Sequence, residues 1–192
     1  MNPNVLVAGV GNILLGDDGF GVEVARRLSR TPQAQTVRVA DFGIRSLHLA
    51  YELLEGYDTL VLIDAMSRGD TPGTVFVVEP DLDHLERLDE PSADDGATPS
   101  PMLDAHTLHP AAVLRTARAL GARLATIRIV GCEPAELEPR IGLSAPVEGA
   151  VERAVVLVGE LVKTLGHATG TPANDSDANE ANEAIETRGG SR

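Results

Sequence analysis

The chain has 192 residues, a formal net charge of −13 and a hydrophobic content of 43%, which is enough apolar material for one domain with a sizeable core. So acidic a chain argues against nucleic acid or an anionic membrane as a partner, because both bind basic surfaces. The single cysteine, Cys132, excludes an intramolecular disulfide and a cysteine-built zinc or iron–sulfur site.

Residues 5–24 combine a strand, a turn and the start of a helix. The apolar run at positions 5–8 predicts a buried strand of a parallel sheet. The glycines at positions 9 and 11 then predict a sharp turn. Apolar residues at every fourth position from Phe20 predict the helix. Asp17 and Asp18 therefore lie where a strand gives way to a helix, which is where open α/β sheets bind ligands.

A dinucleotide-binding loop is the first alternative for this segment. Its fingerprint needs a third glycine at the position that Leu14 occupies. Two carboxylates at the start of the helix would also repel a pyrophosphate. A second alternative is that the acids merely favour the positive N-terminus of the helix, which accounts for one acid better than for two.

The remaining elements alternate between strands and helices. Further strands are predicted at residues 36–42, 59–63, 74–78 and 125–130. Helices are predicted around residues 47–54, with Ser46 as the N-cap, from Pro110 to a stop at Gly121, and over residues 147–165, closed by Gly166. This order predicts the α/β class: a single three-layer domain over residues 1–166, whose mostly parallel twisted sheet of about five strands has helices on both faces.

Two segments differ from this pattern in composition. Residues 80–105 are rich in Asp, Glu, Pro and Ser, which predicts an acidic mobile loop. Residues 167–192 contain too few apolar side chains to offset the entropy of ordering, which predicts a disordered C-terminal tail.

Strands followed by acids bring distant residues together. In a parallel sheet with right-handed crossovers, Asp18 (with Asp17), Asp41, Asp64 and His106 converge on one edge. Two carboxylates and an imidazole suit a divalent metal of borderline hardness. Alternatives stay open at this point. His106 could be a surface or capping residue, with His109 as a rival ligand. Asp41 could be a turn residue, and Asp64 could be a turn residue or an N-cap. Cys132 is expected to be a small buried apolar side chain.

These residues resemble the hydrogenase maturation proteases, which finish the large subunit of nickel–iron hydrogenases. The family's opening pattern is matched by Gly9, Gly11, Asn12, Leu14, Asp17, Asp18, Gly19 and Gly21. Its strand-terminal Asp-Ala, its turn and its histidine motif are matched by Asp64, Ala65, Pro72, Gly73, Thr74, Asp104, Ala105 and His106. Its late pattern is matched by Gly131, Pro134, Pro139, Gly142, Leu143 and Ser144. The resemblance covers residue 5 to about residue 165.

The resemblance implies a function and a set of site residues. The chain would be an endopeptidase that removes the C-terminal extension of the nickel-loaded [NiFe] hydrogenase large-subunit precursor. Asp18, Asp64 and His106 would ligate the metal, which is nickel recognised in the substrate, although another divalent metal is possible. Asp41 and Gly43 would take part in substrate recognition.

The reaction itself needs a nucleophile, and no serine or cysteine is well placed, so water must be activated by a metal or by a carboxylate, Asp17 or Asp18. Two other functions are considered: a non-catalytic nickel-binding maturation chaperone on the same fold, and a small-molecule hydrolase. No signal peptide or membrane span is predicted. We therefore expect a cytoplasmic monomer that binds neither nucleic acid nor membrane.

Overall fold

The computed structural model describes residues 5–80 and 110–168. Within these residues, strands and helices alternate. The strands are β1 (Val5–Val10), β2 (Val37–Gly43), β3 (Thr59–Ala65), β4 (Val75–Val78) and β5 (Thr126–Cys132). The α-helices are α1 (Phe20–Leu28), α2 (Ser46–Glu52), α3 (Pro110–Ala119) and α4 (Ala145–Ala168). Two short 3-10 segments are Gly16–Gly19 and Leu53–Glu55.

The five strands form one sheet in the order β2-β1-β3-β5-β4. Strands β2, β1, β3 and β5 are parallel to their neighbours, and β4 pairs antiparallel with β5 at the edge. The predicted mostly parallel sheet is thus confirmed. Because β1 continues to β2 on one side and has β3 on the other, the chain changes direction between β1 and β3. In doubly wound sheets, the crevice at such a switch point is where ligands bind.

Helices cover both faces of this sheet, as predicted for a three-layer domain. On one face, α2 and α3 bury side chains such as Leu49 and Leu114 against strand residues that include Leu6 and Leu62. On the other face, α1 and α4 bury side chains such as Phe20 against residues that include Val7 and Ile63. The strand residues alternate between these two cores because successive side chains of a strand point to opposite faces. The central strands β1 and β3 are consequently buried along nearly their whole length, and most of their residues are apolar.

Helix α1 begins in direct backbone contact with the sheet. A Cβ atom at Gly21 would collide with the carbonyl oxygens of Ile63 and Val10, and one at Gly9 would collide with the carbonyl oxygen of Gly21. Only glycine permits this approach. The first turn of α1 and the preceding acids are therefore held close to the ends of β1 and β3.

Several boundaries differ from those predicted. Ser46 was expected to cap α2, but it is the first residue of the helix, and Arg45 precedes it without a side-chain cap. Gly166 was expected to close α4, but the helix continues to Ala168. Residues 81–105 of the predicted acidic loop and 169–192 of the predicted tail lie outside the described residues. None of the helices in the described part of the chain has the length and apolarity of a membrane span.

Candidate active site

Two of the predicted metal ligands, Asp18 and Asp64, lie together at the switch point of the sheet. Asp18 follows β1 in the segment Gly16–Gly19. Asp64 is the next-to-last residue of β3, where it pairs with Gly131 of β5. The two carboxylates are close enough for the negative charge of Asp18 to raise the pKa of Asp64. The sheet therefore brings together residues that are 46 positions apart in the sequence.

The loop between β1 and α1 holds Asp18 by local hydrogen bonds. The backbone N–H of Asn12 donates to Asp18 Oδ2 at 2.6 Å, and the side-chain oxygen of Asn12 accepts from the N–H of Leu14 at 3.0 Å. Gly11 has a φ of 123°, and a Cβ there would collide with the carbonyl oxygen of Asp18. A larger residue at position 11 would therefore displace Asp18 as well as strain its own backbone.

The carboxyl of Asp64 is nearly enclosed, with a residue exposure of 7%. Burial and, second, the negative charge of Asp18 raise the pKa of Asp64 to about 8, although a hydrogen bond from the N–H of Ala65 opposes this. Burial also raises the pKa of Asp18, against the hydrogen bond from Asn12. Two neighbouring carboxylates that are costly to ionise together either share a proton or bind a cation.

Asp17 has a different environment from its neighbour Asp18. It is fully buried, and its carboxylate accepts hydrogen bonds from the segment between β5 and α4. Burial alone would raise the pKa of Asp17, but hydrogen bonds from Ser144, Glu136 and Ala135 outweigh it, so the pKa falls below its usual value. The carboxylate is a fully bonded anion. Its predicted catalytic role stays a prediction, and the geometry favours a structural one.

Asp41 and Gly43, the predicted substrate-recognition residues, lie at the end of the edge strand β2. Asp41 is part of the strand, paired with Gly9, and is not a turn residue. Its carboxylate accepts from Arg26 Nε at 3.1 Å, and its carbonyl accepts from Arg45 Nη2 at 2.5 Å. The carbonyl of Gly43 accepts from the N–H of Gly11 at 3.1 Å, which joins the end of β2 to the loop that carries Asp18.

His106, the third predicted metal ligand, lies outside the described residues, as does His109. Only Asp18 and Asp64 of the predicted ligand set can therefore be placed. Residues 5–80 and 110–168 contain no group of three histidine, cysteine or acidic side chains arranged to hold a metal ion. The two carboxylates supply hard oxygen ligands, and a metal of borderline hardness such as nickel would need the imidazole in addition.

Cys132 is buried at the end of β5, as expected. Burial and the negative charge of Asp17 raise the pKa of its thiol to about 11, so it is a poor nucleophile at neutral pH.

Sequence reasoning gave no role to Glu133, which follows Cys132. Its buried carboxylate accepts from the N–H groups of Arg68 at 2.7 Å and Gly69 at 3.3 Å. Glu133 thus fixes the loop that leaves β3 just after Asp64. Glu133 follows a predicted strand directly and so lies on the same sheet edge as the other acids. That position in the sequence could have marked Glu133 as a residue near the site.

Comparisons with known proteins converge on one family. A sequence model of hydrogenase maturation proteases matches residues 93–160. The chain is 30% identical over 168 residues to the hydrogenase expression/formation protein HupD of Rhizobium leguminosarum bv. viciae, covering 86% of this chain and 77% of HupD. It is 33% identical over 153 residues to the hydrogenase 2 maturation protease of Escherichia coli, covering 79% and 85% respectively. The solved structure of the hydrogenase maturating endopeptidase HybD from E. coli matches with a TM-score of 0.66 at 29% identity, covering 84% of this chain and 93% of HybD.

Proposed function

The chain belongs to the hydrogenase maturation protease family, and from that premise we propose that it removes the C-terminal extension of the nickel-loaded large-subunit precursor of a [NiFe] hydrogenase. Its peptidase activity follows from the family. The C-terminal position of the cut and the dependence on nickel are our proposal.

The placement of Asp18 and Asp64 carries this proposal. Both side chains lie at the crevice between β1 and β3, where a doubly wound sheet binds ligands. Both are at least half-buried, and the charge of one acts on the other. Burying two acids side by side is unfavourable for a free protein. A cation brought by the substrate would relieve that cost.

Nickel is part of the substrate in this proposal. Asp18 and Asp64, together with His106, would be its ligands on the protease, and nickel would supply recognition and Lewis acidity. An ion shared between precursor and protease makes binding depend on prior nickel insertion. The unloaded precursor lacks this link and would bind weakly, so cleavage would follow metal insertion.

Hydrolysis adds one water molecule across the peptide bond. The water oxygen bonds to the carbonyl carbon, one water proton goes to a base, and the leaving nitrogen takes up a proton as the C–N bond breaks. We place the base at Asp18, because it lies at the crevice and is only partly buried. The Asp17 carboxylate is enclosed and already fully hydrogen-bonded.

The surface around Asp18 suits a polypeptide substrate. Ile13, Leu14 and Ile141 are 43%, 57% and 82% exposed. A cavity of about 200 Å³ lies between Ile13 and Ile141, and Arg26 lines it as well. Gly16 and Gly19, which lie on either side of the two acids, also line this cavity, and Arg26 forms an ion pair with the predicted recognition residue Asp41. Exposed apolar side chains beside a crevice commonly mark a surface that contacts another protein.

The test is the mass of the precursor before and after incubation with the protease. We expect the nickel-loaded large subunit to lose its C-terminal extension, and the nickel-free precursor to stay intact. Asp18→Ala, Asp64→Ala and His106→Ala should each abolish cleavage, whereas Glu160→Gln, on the exposed surface of α4, should cleave at the wild-type rate. Circular dichroism would check that every variant is folded.

Two results would contradict the proposal. Normal cleavage by any of the three alanine variants would remove that residue from the site. A nickel-loaded precursor that keeps its full mass with the wild-type protein, yet is captured by it and not by Asp18→Ala, would instead indicate a non-catalytic nickel-binding maturation chaperone.

A further inference from the structure

We propose that Asp17 is a positioning residue: with Ser144 it ties residues 135–144 to the loop that carries Asp18, and so sets the position of Asp18 beside Asp64. The inference rests on the proposed function in that Asp18 acts in the reaction. It gives a role to Ser144, the last residue of the late Gly-Pro-Pro-Gly-Leu-Ser pattern of the sequence.

The bonds to the Asp17 carboxylate come from both ends of this segment. The N–H groups of Ala135 and Glu136 donate to Oδ2 at 2.8 Å and 2.9 Å. Ser144 donates its N–H to Oδ1 at 2.6 Å and its hydroxyl to Oδ2 at 2.8 Å. The residue exposure of Asp17 is 0%. One carboxylate thus closes the segment into a loop, and it has no face open to a substrate.

Backbone hydrogen bonds make a second connection between the two segments. The N–H of Asp17 donates to the carbonyl oxygen of Glu136 at 3.0 Å, and the N–H of Gly16 donates to the carbonyl oxygen of Arg140 at 2.9 Å. In return, the N–H of Arg140 donates to the carbonyl of Leu14 at 2.9 Å. Leu15 and Arg140 form an isolated parallel bridge. Residues 14–17 are therefore held by residues 135–144 along their length.

The position of Asp18 depends on this attachment. Asp18 directly follows Asp17 within the same 3-10 turn, and the N–H of Asp18 donates to the carbonyl oxygen of Leu15 at 3.3 Å. On the other side, its carboxylate accepts the short hydrogen bond from Asn12. If the carboxylate of Asp17 were released, only the backbone hydrogen bonds would hold the turn to residues 135–144, and we expect Asp18 to move relative to β3. Ser144 is also the residue just before α4, and its carbonyl accepts from the N–H of Glu148 at 2.8 Å, so the anchor is itself fixed to a long helix.

The test compares Asp17→Asn, Ser144→Ala and the double variant in the full-length protein. An asparagine at position 17 turns an NH2 group towards N–H donors, and an alanine at position 144 removes only the hydroxyl bond. The control is Leu53→Ala, which creates a cavity in the core on the opposite face of the sheet and lowers stability without touching the loop.

Two readouts are measured at a temperature where all variants are folded. The first is the NMR chemical shift of the Asn12 amide, which reports the hydrogen bond to Asp18. It should move in Asp17→Asn and in Ser144→Ala, and stay in place in Leu53→Ala. The second is kcat and KM on nickel-loaded precursor. A displacement of order 1 Å in a reacting group lowers rates by about 100-fold, so kcat should fall by about that factor for Asp17→Asn and less for Ser144→Ala.

The double variant separates positioning from direct catalysis. Because both residues belong to one set of hydrogen bonds, we expect the double variant to lose little more than Asp17→Asn alone. A catalytic Asp17 would instead give an inactive Asp17→Asn with an unmoved Asn12 amide, and a Ser144→Ala of normal kcat. That pattern would overturn the inference.

If Asp17→Asn fails to fold, Ser144→Ala decides alone by the same two measurements. Failure of the wild-type protein to cleave would overturn the proposed function, while the Asn12 shift would still decide whether Asp17 positions Asp18.

Discussion

Replacing Asp64 with asparagine should stabilise the metal-free protein at neutral pH. The side chain keeps its size and its acceptor for the N–H of Ala65, but it can no longer ionise. In the folded wild-type protein the pKa of Asp64 is raised from 3.8 to about 8 by burial and by the charge of Asp18. In the unfolded chain the side chain is solvated and has its ordinary pKa. The wild-type protein therefore binds one more proton at this site when folded than when unfolded, over the pH range between those two values.

The sign and size of the effect follow from that extra proton. Because the pKa of Asp64 is higher in the folded than in the unfolded protein, its protonation stabilises the fold. This stabilisation is fully present below the unfolded-state pKa of 3.8 and is lost as the pH rises towards the folded-state pKa of about 8. The loss is about 1.4 kcal/mol per pH unit. Between pH 4 and pH 7 the wild-type protein should thus lose about 4 kcal/mol that Asp64→Asn does not lose. Above about pH 8 the difference between the two proteins should level off.

The assay is urea unfolding in the presence of EDTA at half-unit steps from pH 4 to pH 8. The free energy of unfolding of Asp64→Asn, minus that of the wild-type protein, should rise with pH across this range. Glu160→Gln, an exposed change on α4, is the control and should follow the wild-type curve. If Asp64→Asn and the wild-type protein lose stability in parallel, Asp64 does not hold a proton in the folded state, and the electrostatic description of the crevice is wrong.

Three further variants test the scaffold around the site. Gly21→Ala should destabilise the protein by about 1–3 kcal/mol in urea unfolding, because a Cβ at position 21 collides with two strand carbonyls. The control is Gly149→Ala in α4, which has open space around it and should be neutral or stabilising. Equal effects of the two substitutions would refute the close contact at Gly21. Arg27→Ala removes an ion pair to Glu23 within α1 and two ion pairs, to Glu148 and Glu152, that join α1 to α4. The cost should be about 1 kcal/mol and should shrink in 1 M NaCl; a thermal shift that does not change with salt would contradict this. Deletion of residues 169–192 should leave precursor processing intact in the mass assay, and a strong loss would show that the tail takes part.

The fold was predictable because its signals are local. Apolar runs in β1 and β3 and the four-residue spacing in α1 and α4 each determine an element within a short window. The alternation of strands and helices then leaves few topologies. The misplaced ends have a physical reason as well. The hydroxyl of Ser46 can donate or accept a hydrogen bond in several turn conformations, not only as a helix cap. A glycine inside a helix, such as Gly166, costs only about 1 kcal/mol of helix stability. Neither residue was sufficient to set a boundary.

The two adjacent acids show where sequence reasoning stopped. Asp17 and Asp18 have the same chemistry and the same local context, so nothing nearby distinguishes them. What separates them is a set of partners more than one hundred positions away, at residues 135–144. Such contacts appear only when the sheet assembles with β3 between β1 and β5. The family pattern correctly included Ser144, but its spacing carried no information about which side chain it binds.

Opposite environments give these acids opposite tasks. Asp17 receives four hydrogen bonds, so its negative charge is stabilised within the protein and its pKa is lowered. Asp18 and Asp64 face each other with fewer donors, and burial raises the pKa of both. A protein that buried these two acids for stability alone would gain from replacing them with apolar residues. Asp17 lies one residue before Asp18 in the same turn, and its bonds to residues 135–144 attach that turn to the segment between β5 and α4. Under the proposed function, a cation that arrives with the substrate would displace the proton that Asp64 holds in the free protein near neutral pH.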